Sequence, residues 1–451
     1  MRRRAMYKIK HYVDRHRTLI EDAFQYIWTH PETGYREWQT HAYLAEQFRK
    51  LGYELTEAGD IPGFYTDLDT GRPGPTLLIM GELDALICPN HPENVNGNAH
   101  ACGHAAQCAA LLGLAAALKE KGALDSLSGK IRLMAVPAEE LIEIEYREQL
   151  RKEGKIHSFG GKVEFMYRGF MDDVDLAMMI HTSSADRPHT GDINAGCNGM
   201  ITFTAVFHGK ASHAGGSPHL GVNALYAATQ ALSACNAVRE TFPDEETIRF
   251  HPIITEGGAS VNIIPSRTTL ESYVRGQHMK SILEANQRLR RAVAGSAASL
   301  GAGVTIINRP GYHPAKYDEG MMLAMKEAME DVLEEVYYLP DFYGRGSTDN
   351  GDLSAVMPTI HPHIGGAAGH GHGDDYRIVS VDSACVDSAK VQASFVEILL
   401  GHGAERAARI VEEYRPEFQS IKDYFTFMDS LVKDIEAVQY CEDGTIRITL
   451  E

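Results

Sequence analysis

The stretch that decides the fold reads HACGH over residues 100–104 and AAQCAALLGLAAAL over residues 105–118. Cys102 and His104 lie two residues apart, so both side chains can face one side at a strand end or in a turn. The alanine- and leucine-rich run favours a helix that would hold the pair on a rigid element. A thiolate and an imidazole suit a borderline-soft metal such as zinc. A buried free cysteine with ordinary polar neighbours is the alternative.

Chain length and composition are those of a soluble protein with more than one domain. The 451 residues exceed one ordinary hydrophobic core, so two domains are expected. The net charge of −18 argues against nucleic acid or an anionic membrane as a partner, since both attract basic faces. No apolar run of about 18 residues occurs, so no transmembrane helix is predicted.

The seven cysteines are scattered and odd in number, which does not suit a disulfide framework. A reducing interior, and therefore a cytoplasmic location, is the better interpretation. The basic start of the chain, residues 1–24, lacks the apolar segment of a secretory signal and is predicted to be an amphipathic helix.

Apolar runs alternate with helical segments in the first part of the chain. The runs that begin at Leu77, Ile131 and Asp175 predict buried strands, and 141–170 predicts a polar helix. This alternation predicts an α/β domain with a doubly wound mixed sheet, in which ligands bind beyond the carboxyl ends of strands. Four polar side chains follow such predicted ends: Asp84, Glu139, Glu140 and His181.

The pattern changes near Gly191, where half-buried strand patterns and two helices predict a smaller α+β sandwich inserted into the first domain. We therefore expect a discontinuous catalytic domain over 1–190 and 311–451, and an inserted domain over 191–310. The charged stretch after about residue 404 is interpreted as a docked extension with a terminal strand, without an assigned function.

A two-metal hydrolytic site needs a bridging anionic ligand, terminal ligands for each metal, and a free carboxylate that deprotonates water. A Cys102 thiolate could bridge. Glu140 and His181 could complete one metal, while His104 and His372 could complete the other.

Glu139 would then be the general base, with its pKa set by nearby cations and by burial. Asp84 could orient a ligating histidine. Ordinary structural explanations stay open. Glu139 and Glu140 could begin a solvated helix, Asp84 could cap a turn, and His181 could be a hydrogen-bonded core histidine. Because all four follow predicted strand ends of one domain, the metal site is favoured.

The chain resembles metallopeptidase family twenty, the co-catalytic metal amidohydrolases that include aminoacylases and carboxypeptidases. The motifs that carry the resemblance span most of the chain: GELDAL (81–86), HACGHAAQC (100–108), VPAEE (136–140), GGK (160–162), FHGKASHAGG (207–216), TEGGASVNIIPSRTTLESYVRG (255–276) and GSTDNGDLS (346–354). They are most similar to a subgroup with aminobenzoyl-glutamate hydrolase subunits and β-alanyl-lysine dipeptidase-like proteins.

The resemblance implies two divalent cations, for which zinc is the preferred metal and manganese and cobalt are alternatives. It also implies that Glu139 is the general base. It implies five metal ligands: Cys102, His104, Glu140, His181 and His372. His372 is preferred to His370 because residues 372–376, HGDDY, resemble the His-x-acidic-x-Tyr pattern of the family.

The resemblance also implies that the inserted domain is a lid and dimerisation domain. His213 would reach across a homodimer to polarise the scissile carbonyl, with His219 as its rival. Asn262 and Arg275 would hold the carbonyl and carboxylate of the substrate, since an arginine fork donates two parallel hydrogen bonds to a carboxylate. His213 could instead cap the following helix, and Arg275 could be a solvated strand charge.

Two features depart from the family pattern. Ala105 stands where the family usually has Asp or Asn, so an acceptor near the metals is expected to be missing. Residues 87–99, ICPNHPENVNGNA, form an insert with Cys88 and His91, which we do not assign to the site.

The sequence therefore predicts a metal-dependent amidohydrolase that cleaves small N-acyl amino acids or dipeptides with a metal-activated water. The alternative, favoured by Ala105, is a catalytically weak or inactive binding or regulatory protein that keeps the fold.

Overall fold

The structure, a computed structural model, describes residues 7–450, and the chain divides into two compact units. The first unit comprises Met1–Gly196, Lys316–Phe342 and Asp352–Ile421; the second comprises Cys197–Ala315, Tyr343–Gly351 and Lys422–Glu451. Residues 1–6, where the predicted amphipathic helix begins, and residue 451 lie outside the described part. The predicted mixed α/β architecture is confirmed.

A six-stranded mixed sheet forms the centre of the first unit. Its strands lie in the order Thr56–Glu57, Phe64–Asp69, Lys130–Val136, Thr76–Glu82, Leu176–Met178 and Thr359–Ile360. The last four of these run parallel to one another, and the first two run antiparallel to their neighbours. Every residue of Thr76–Glu82 is buried, as expected for a strand covered on both faces.

Helices cover this sheet, and His104–Leu118 is buried along its entire length. An apolar surface all round, built from alanine and leucine, permits that burial. The helical segments of the first unit are Ile9–Val13, Asp14–His16, Arg17–Trp28, Trp38–Lys50, His104–Leu118, Ile144–Lys152, Gly161–Tyr167, Glu319–Val332, Asp382–Asp387, Ser388–Leu400, His402–Ala404 and Glu405–Glu413. Across residues 7–450, none of the helices combines the length and the apolarity needed to span a membrane.

Among residues 7–450, nine further strands form three smaller sheets. They are Leu86–Ile87, Asn98–Ala99, His181–Thr182, Thr190–Cys197, Ala315–Lys316, Glu335–Gly344, His363–Ile364, Ala367–Ala368 and Arg377–Ile378, with a short helix at Asn350–Ser354. Two predictions are refined here. The run from Asp175 splits into Leu176–Met178 and His181–Thr182, and the single helix predicted over 141–170 is two helices.

The second unit contains a seven-stranded antiparallel sheet and two long helices, Ala224–Arg239 and Met279–Ser299. The strand order is Arg249–Phe250, Arg267–Gly276, Gly199–His208, Gly303–Tyr312, Lys433–Tyr440 and Ile446–Ile448, with Ile253–Glu256 also paired to Arg267–Gly276. The remaining helical segments are Pro218–Leu220, Asp244–Glu246 and Ile421–Ser430.

The domain boundaries differ from the predicted ones. The sequence places all of 311–451 in the first domain and 191–310 in the insert, whereas Cys197–Ala315, Tyr343–Gly351 and Lys422–Glu451 form the second unit. The physical reason is backbone pairing, because Lys433–Tyr440 lies antiparallel to Gly303–Tyr312.

Candidate metal centre

The candidate site begins where neighbouring parallel strands end. Thr76–Glu82 and Lys130–Val136 are parallel, so the residues that follow them meet at one edge of the sheet. Asp84 and Glu140 meet there: the backbone N–H of Glu140 donates to Oδ2 of Asp84 across 2.8 Å. Ala138 has a φ of 56°, which turns the chain between the end of the strand and Glu140.

Two buried residues that the sequence analysis missed hold this turn. Oε1 of Glu37 accepts the backbone N–H of Ala138 across 2.7 Å. The Arg147 guanidinium donates to the carbonyl oxygens of Glu140 and Phe159. Arg147 lies in a helix that is polar in sequence, and no sequence signal separates its buried side chain from the solvated ones nearby.

Cys102 and His104 flank a tight turn at the start of the buried helix. Gly103, between them, has a φ of 90°, a backbone conformation that L side chains rarely adopt. A Cβ at this position would also overlap the hydroxyl oxygens of Thr182 and Tyr376. Glycine is therefore required for Cys102 and His104 to lie as they do.

His104, which is buried, and His181, which is partly buried, both direct Nε2 towards the site. Nδ1 of His104 donates to the carbonyl oxygen of Asp84 (2.9 Å) and lies 3.2 Å from its Oδ1. Nδ1 of His181 donates to the carbonyl oxygen of Thr182 across 2.8 Å. This hydrogen bonding assigns the remaining proton to Nδ1 in each ring, which leaves Nε2 free to bind a cation.

The expected ligands fall into two groups that share one thiol. Cys102, His104 and His181 form the first group, and Cys102, Glu140 and His372 form the second; within each group the ligand atoms lie within 4.8 Å of one another. Sγ of Cys102 is 3.3 Å from Nε2 of His181, and Nε2 of His372 is 3.3 Å from Oε1 of Glu140. The sequence-based partition, which pairs Glu140 with His181, differs from this arrangement.

Glu139 borders the first group, together with a carboxylate that the sequence analysis did not assign. Glu82, His104 and Glu139 form a third cluster within 4.8 Å, and Oε2 of Glu139 is 4.0 Å from Nε2 of His104. Glu82 ends its strand inside the protein, where it contacts the Lys162 ammonium and accepts a hydrogen bond from Nε2 of Gln107 (2.9 Å). Glu82 lies in the quoted motif GELDAL, two residues before Asp84.

Burial and charge set the protonation of these groups. Burial raises the pKa of the Cys102 thiol well above its usual range, and the Glu140 carboxylate adds to this. Burial, with the charge of His104, lowers the pKa of His181 to about 4. Burial also opposes protonation of His104, but Glu82, Cys102 and Asp84 together outweigh it and raise the pKa of His104. A cation would displace the protons from the thiol and the imidazole.

The donor set fits a pair of borderline divalent cations. Thiolate, imidazole and carboxylate ligands are those of zinc sites, and a shared thiolate supplies a bridging anion. Two buried ligand atoms face other ionisable groups: Nε2 of His104 lies 3.1 Å from Oε2 of Glu82, and Oε1 of Glu140 lies 3.3 Å from Nε2 of His372. Because buried ionisable groups are costly unless they are paired or coordinate a metal, their convergence on Cys102 supports a cation there.

Contacts bear on two alternatives raised by the sequence. Nδ1 of His370 lies 2.9 Å from Oδ2 of Asp375, whereas His372 lies beside Glu140. Asp84 already supplies the acceptor for Nδ1 of His104, so the orientation of that ring does not depend on the side chain at Ala105.

The predicted substrate-binding residues all belong to the second unit. His213 forms a β-bridge with Ile263, and its Nδ1 accepts the backbone N–H groups of Gly215 and Gly216. Asn262 is adjacent, since its carbonyl oxygen accepts the N–H of Ala214. Arg275 lies apart on the strand Arg267–Gly276, where its guanidinium donates to Ser347 across 3.0 Å. The rival, His219, is exposed in the short helix Pro218–Leu220.

Comparison with known proteins places the chain in a family. Residues 63–398 match the family model described as Peptidase family M20/M25/M40. The chain is similar to an Xaa-Arg dipeptidase from Homo sapiens, with 29% identity over 374 residues and 76% of each chain covered. It is also similar to an indole-3-acetyl-aspartic acid hydrolase from Enterobacter agglomerans, with 29% identity over 61% of this chain and 70% of that relative.

Among solved structures, the chain is similar to a Bacillus subtilis protein titled a dinuclear metal binding peptidase from the M20 family. The TM-score is 0.63 at 19% identity, with 85% of this chain and 98% of that chain covered. The match to the family model alone extends over well more than half of the residues. The resemblance found in the sequence motifs is thus confirmed, and the chain belongs to peptidase family M20/M25/M40.

Proposed function

We propose that this chain hydrolyses the amide bond of a small N-acyl amino acid or dipeptide, with Glu139 as the general base. The observation that carries the proposal is the pair of ligand groups sharing Cys102, with the Glu139 carboxylate beside them. The names of the relatives, a dipeptidase and an indole-3-acetyl-aspartic acid hydrolase, support this substrate class.

Two cations fit the proposed site. Cys102, His104 and His181 would hold one, and Cys102, Glu140 and His372 would hold the other. Zn²⁺ is our first choice, with Mn²⁺ or Co²⁺ as alternatives, because this mixture of ligands accepts all three. When bound, such cations supply Lewis acidity, which acidifies water and polarises a carbonyl.

Glu139 carries the proton in this proposal. As the water oxygen bonds to the amide carbon, the carboxylate of Glu139 takes one water proton. When the carbon–nitrogen bond then breaks, the same carboxyl group gives that proton to the leaving amine. The products are a carboxylic acid and an amine, and Glu139 returns to its ionised form.

We assign substrate binding to the second unit, as a lid and dimerisation domain. His213, from the partner subunit of a homodimer, would donate to the carbonyl oxygen, which Asn262 would also contact. Arg275 would bind the carboxylate of the amino acid, for which its planar fork is suited. The seven cysteines are free thiols, and a location in the reducing cytoplasm completes the proposal.

The first experiment substitutes Glu139→Gln, with Glu145→Gln at an exposed helix position as the matched control. Both variants are loaded with Zn²⁺ or Mn²⁺ and assayed on N-acetyl amino acids, N-benzoyl amino acids and dipeptides. We expect Glu139→Gln to keep its metals and lose turnover by about 10²–10⁴-fold, the usual contribution of a general base. Near-normal turnover would show that another residue is the base.

The second experiment tests sharing of the site between subunits. A His213→Ala variant and an Arg275→Ala variant, each nearly inactive, are mixed under conditions that exchange subunits. Since a mixed dimer would contain one site with both residues intact, we expect partial recovery of activity. A chain that sediments as a monomer, or a mixture that stays inactive, contradicts the dimer proposal. Turnover of no substrate in the panel by a protein with both cations bound would favour the binding-protein alternative.

A further inference from the structure

His372 is the most exposed of the five proposed ligands, and it lies in a loop without regular structure. Its side chain is 57% exposed, and its φ is 64°, in the left-handed region. The loop runs between the short strands Ala367–Ala368 and Arg377–Ile378. Contacts made by the loop must therefore fix where His372 lies, because no helix or strand does so.

The insert left unassigned by the sequence forms a compact hairpin against this loop. Leu86–Ile87 pairs antiparallel with Asn98–Ala99, and the backbone N–H of Cys88 donates to the carbonyl oxygen of Gly97 across 2.8 Å. The side chain of Asn94 donates to the carbonyl oxygen of His91 across 2.7 Å, which stiffens the tip. We call residues 86–99 the hairpin.

Two buried side chains of the hairpin donate hydrogen bonds to the loop that carries His372. Nδ1 of His91 accepts the backbone N–H of Glu93, so its Nε2 carries the proton and donates to the carbonyl oxygen of Tyr376 across 2.7 Å. Sγ of Cys88 donates to Oδ1 of Asp374 across 3.3 Å. Both donors are buried, and both acceptors lie within four residues of His372.

The same hairpin continues directly into the segment that carries Cys102. The carbonyl oxygen of Ala101, two residues past the hairpin, accepts the backbone N–H of His372 across 2.9 Å. The Tyr376 hydroxyl is hydrogen-bonded to Oγ1 of Thr182 (2.7 Å), and Oγ1 of Thr182 is 3.3 Å from the carbonyl oxygen of Cys102. The His372 loop is thus tied to the segment that carries Cys102 by Ala101 directly, and through Thr182 by Tyr376, whose carbonyl oxygen the hairpin holds.

We propose that the hairpin is a positioning element that holds His372 in ligating distance of Cys102 and Glu140. His91 and Cys88 are its positioning residues; neither contacts the reacting atoms. The inference rests on the proposed function, because it concerns the second ligand group of that site. Its consequence is selective: loss of the hairpin contacts loosens the group with His372 and leaves the group with His104 and His181 intact.

The test compares two matched pairs of variants in the full chain. His91→Phe keeps a buried ring and removes the donor to Tyr376, whereas His91→Gln keeps an N–H donor. Cys88→Ala removes the donor to Asp374, whereas Cys88→Ser keeps one. Val95→Ala, at a hairpin position that is 40% exposed, is the control.

Metal-free protein is titrated with Zn²⁺ in a calorimeter. We expect His91→Phe to lower the affinity for one of the two Zn²⁺ ions by about 10–100-fold, the usual effect of losing an outer contact at a metal site. The affinity for the other Zn²⁺ should not change. Zn²⁺ affinity should stay within about threefold of the wild-type value in His91→Gln, Cys88→Ser and Val95→Ala. The affinity of Cys88→Ala should lie between those of the wild type and His91→Phe. The proposal would be overturned if His91→Phe bound each of the two Zn²⁺ ions as tightly as the wild type does.

Hydrogen exchange in the metal-free protein separates this inference from the proposed function. The backbone amides of residues 370–376 should exchange faster in His91→Phe than in His91→Gln or the wild type. A wild type that binds fewer than two cations, with faster exchange in His91→Phe, refutes the metal site and keeps the positioning role. Unchanged exchange refutes the positioning role. If His91→Phe fails to fold, the Cys88 pair gives the same comparison.

Discussion

Lys162 and Glu82 form an ion pair whose side chains are both buried, at 0% and 1% exposure. Oε2 of Glu82 also lies 3.1 Å from Nε2 of His104, one of the proposed ligands. Burial raises the pKa of the Glu82 carboxyl, but Lys162, His104 and His181 together outweigh burial and lower that pKa. Lys162 therefore helps to keep a negative charge deep in the protein, next to the candidate metal centre.

Replacing one member of this ion pair should destabilise the protein more than replacing both members. We expect Glu82→Gln or Lys162→Met to destabilise the metal-free protein by about 3–5 kcal/mol, because each leaves an uncompensated buried charge. The double variant should recover part of that loss. Denaturant unfolding measures the free energy of unfolding of each variant. The control is Lys50→Met, which breaks the exposed pair with Glu46 and should cost at most about 1 kcal/mol. Single variants as stable as the wild type would contradict this.

Asp84 should control metal affinity although it is not a ligand. Asp84→Ala removes the carboxylate that lies beside Nδ1 of His104 and accepts the backbone N–H of Glu140, although the carbonyl oxygen that accepts from Nδ1 remains. We expect Zn²⁺ affinity to fall by about 10–100-fold, with a smaller loss for Asp84→Asn, which keeps one acceptor oxygen. Competition against a coloured chelator measures the affinity. Asp69→Ala, which removes a carboxylate from an exposed turn, should bind as the wild type does.

His41 should make the fold sensitive to mild acid. Its Nδ1 accepts the backbone N–H of Gly63 across 2.8 Å, and burial lowers the pKa of His41 from the ordinary 6.5. As pH falls below 6.5, the unfolded chain binds a proton that the folded chain does not yet bind, so stability decreases. This group alone can contribute at most about 1.4 kcal/mol per pH unit.

The variant His41→Asn keeps an acceptor for Gly63 and removes the titration. The melting temperature of the metal-free protein should therefore drop less between about pH 7.5 and about pH 5.5 in this variant than in the wild type. His402→Asn, at an exposed position, should keep the wild-type difference. An identical drop in His41→Asn and the wild type would exclude His41 as a source of acid sensitivity.

The sequence was sufficient for the strands and for the edge of the sheet at which they end. Thr76–Glu82 and Lys130–Val136 are apolar enough to be recognised, and parallel strands bring the residues that follow them together. Adjacent carboxylates on a regular strand would point apart, and the positive φ of Ala138 turns the chain before Glu139. Periodicity and position thus predicted which side chains converge.

Contacts between distant segments could not be predicted in the same way. Arg147 looks like a solvated charge because its helix is polar, and Lys162 is a single basic residue in a mostly apolar helix. The burial of both side chains depends on how those helices pack. The division of ligands between two groups depends on ring positions that spacing does not encode. The hairpin looks like a neutral insertion until its donors are seen against the His372 loop.

The pairing of Lys433–Tyr440 with Gly303–Tyr312 has a consequence for protein synthesis. A ribosome completes Gly303–Tyr312 long before its neighbouring strand emerges. During that interval, this edge of the sheet has unpaired N–H and C=O groups, which invite pairing with other nascent chains. Folding of the second unit can finish only after translation of the Lys433–Tyr440 segment, so a premature stop codon upstream of it would yield a product prone to aggregate.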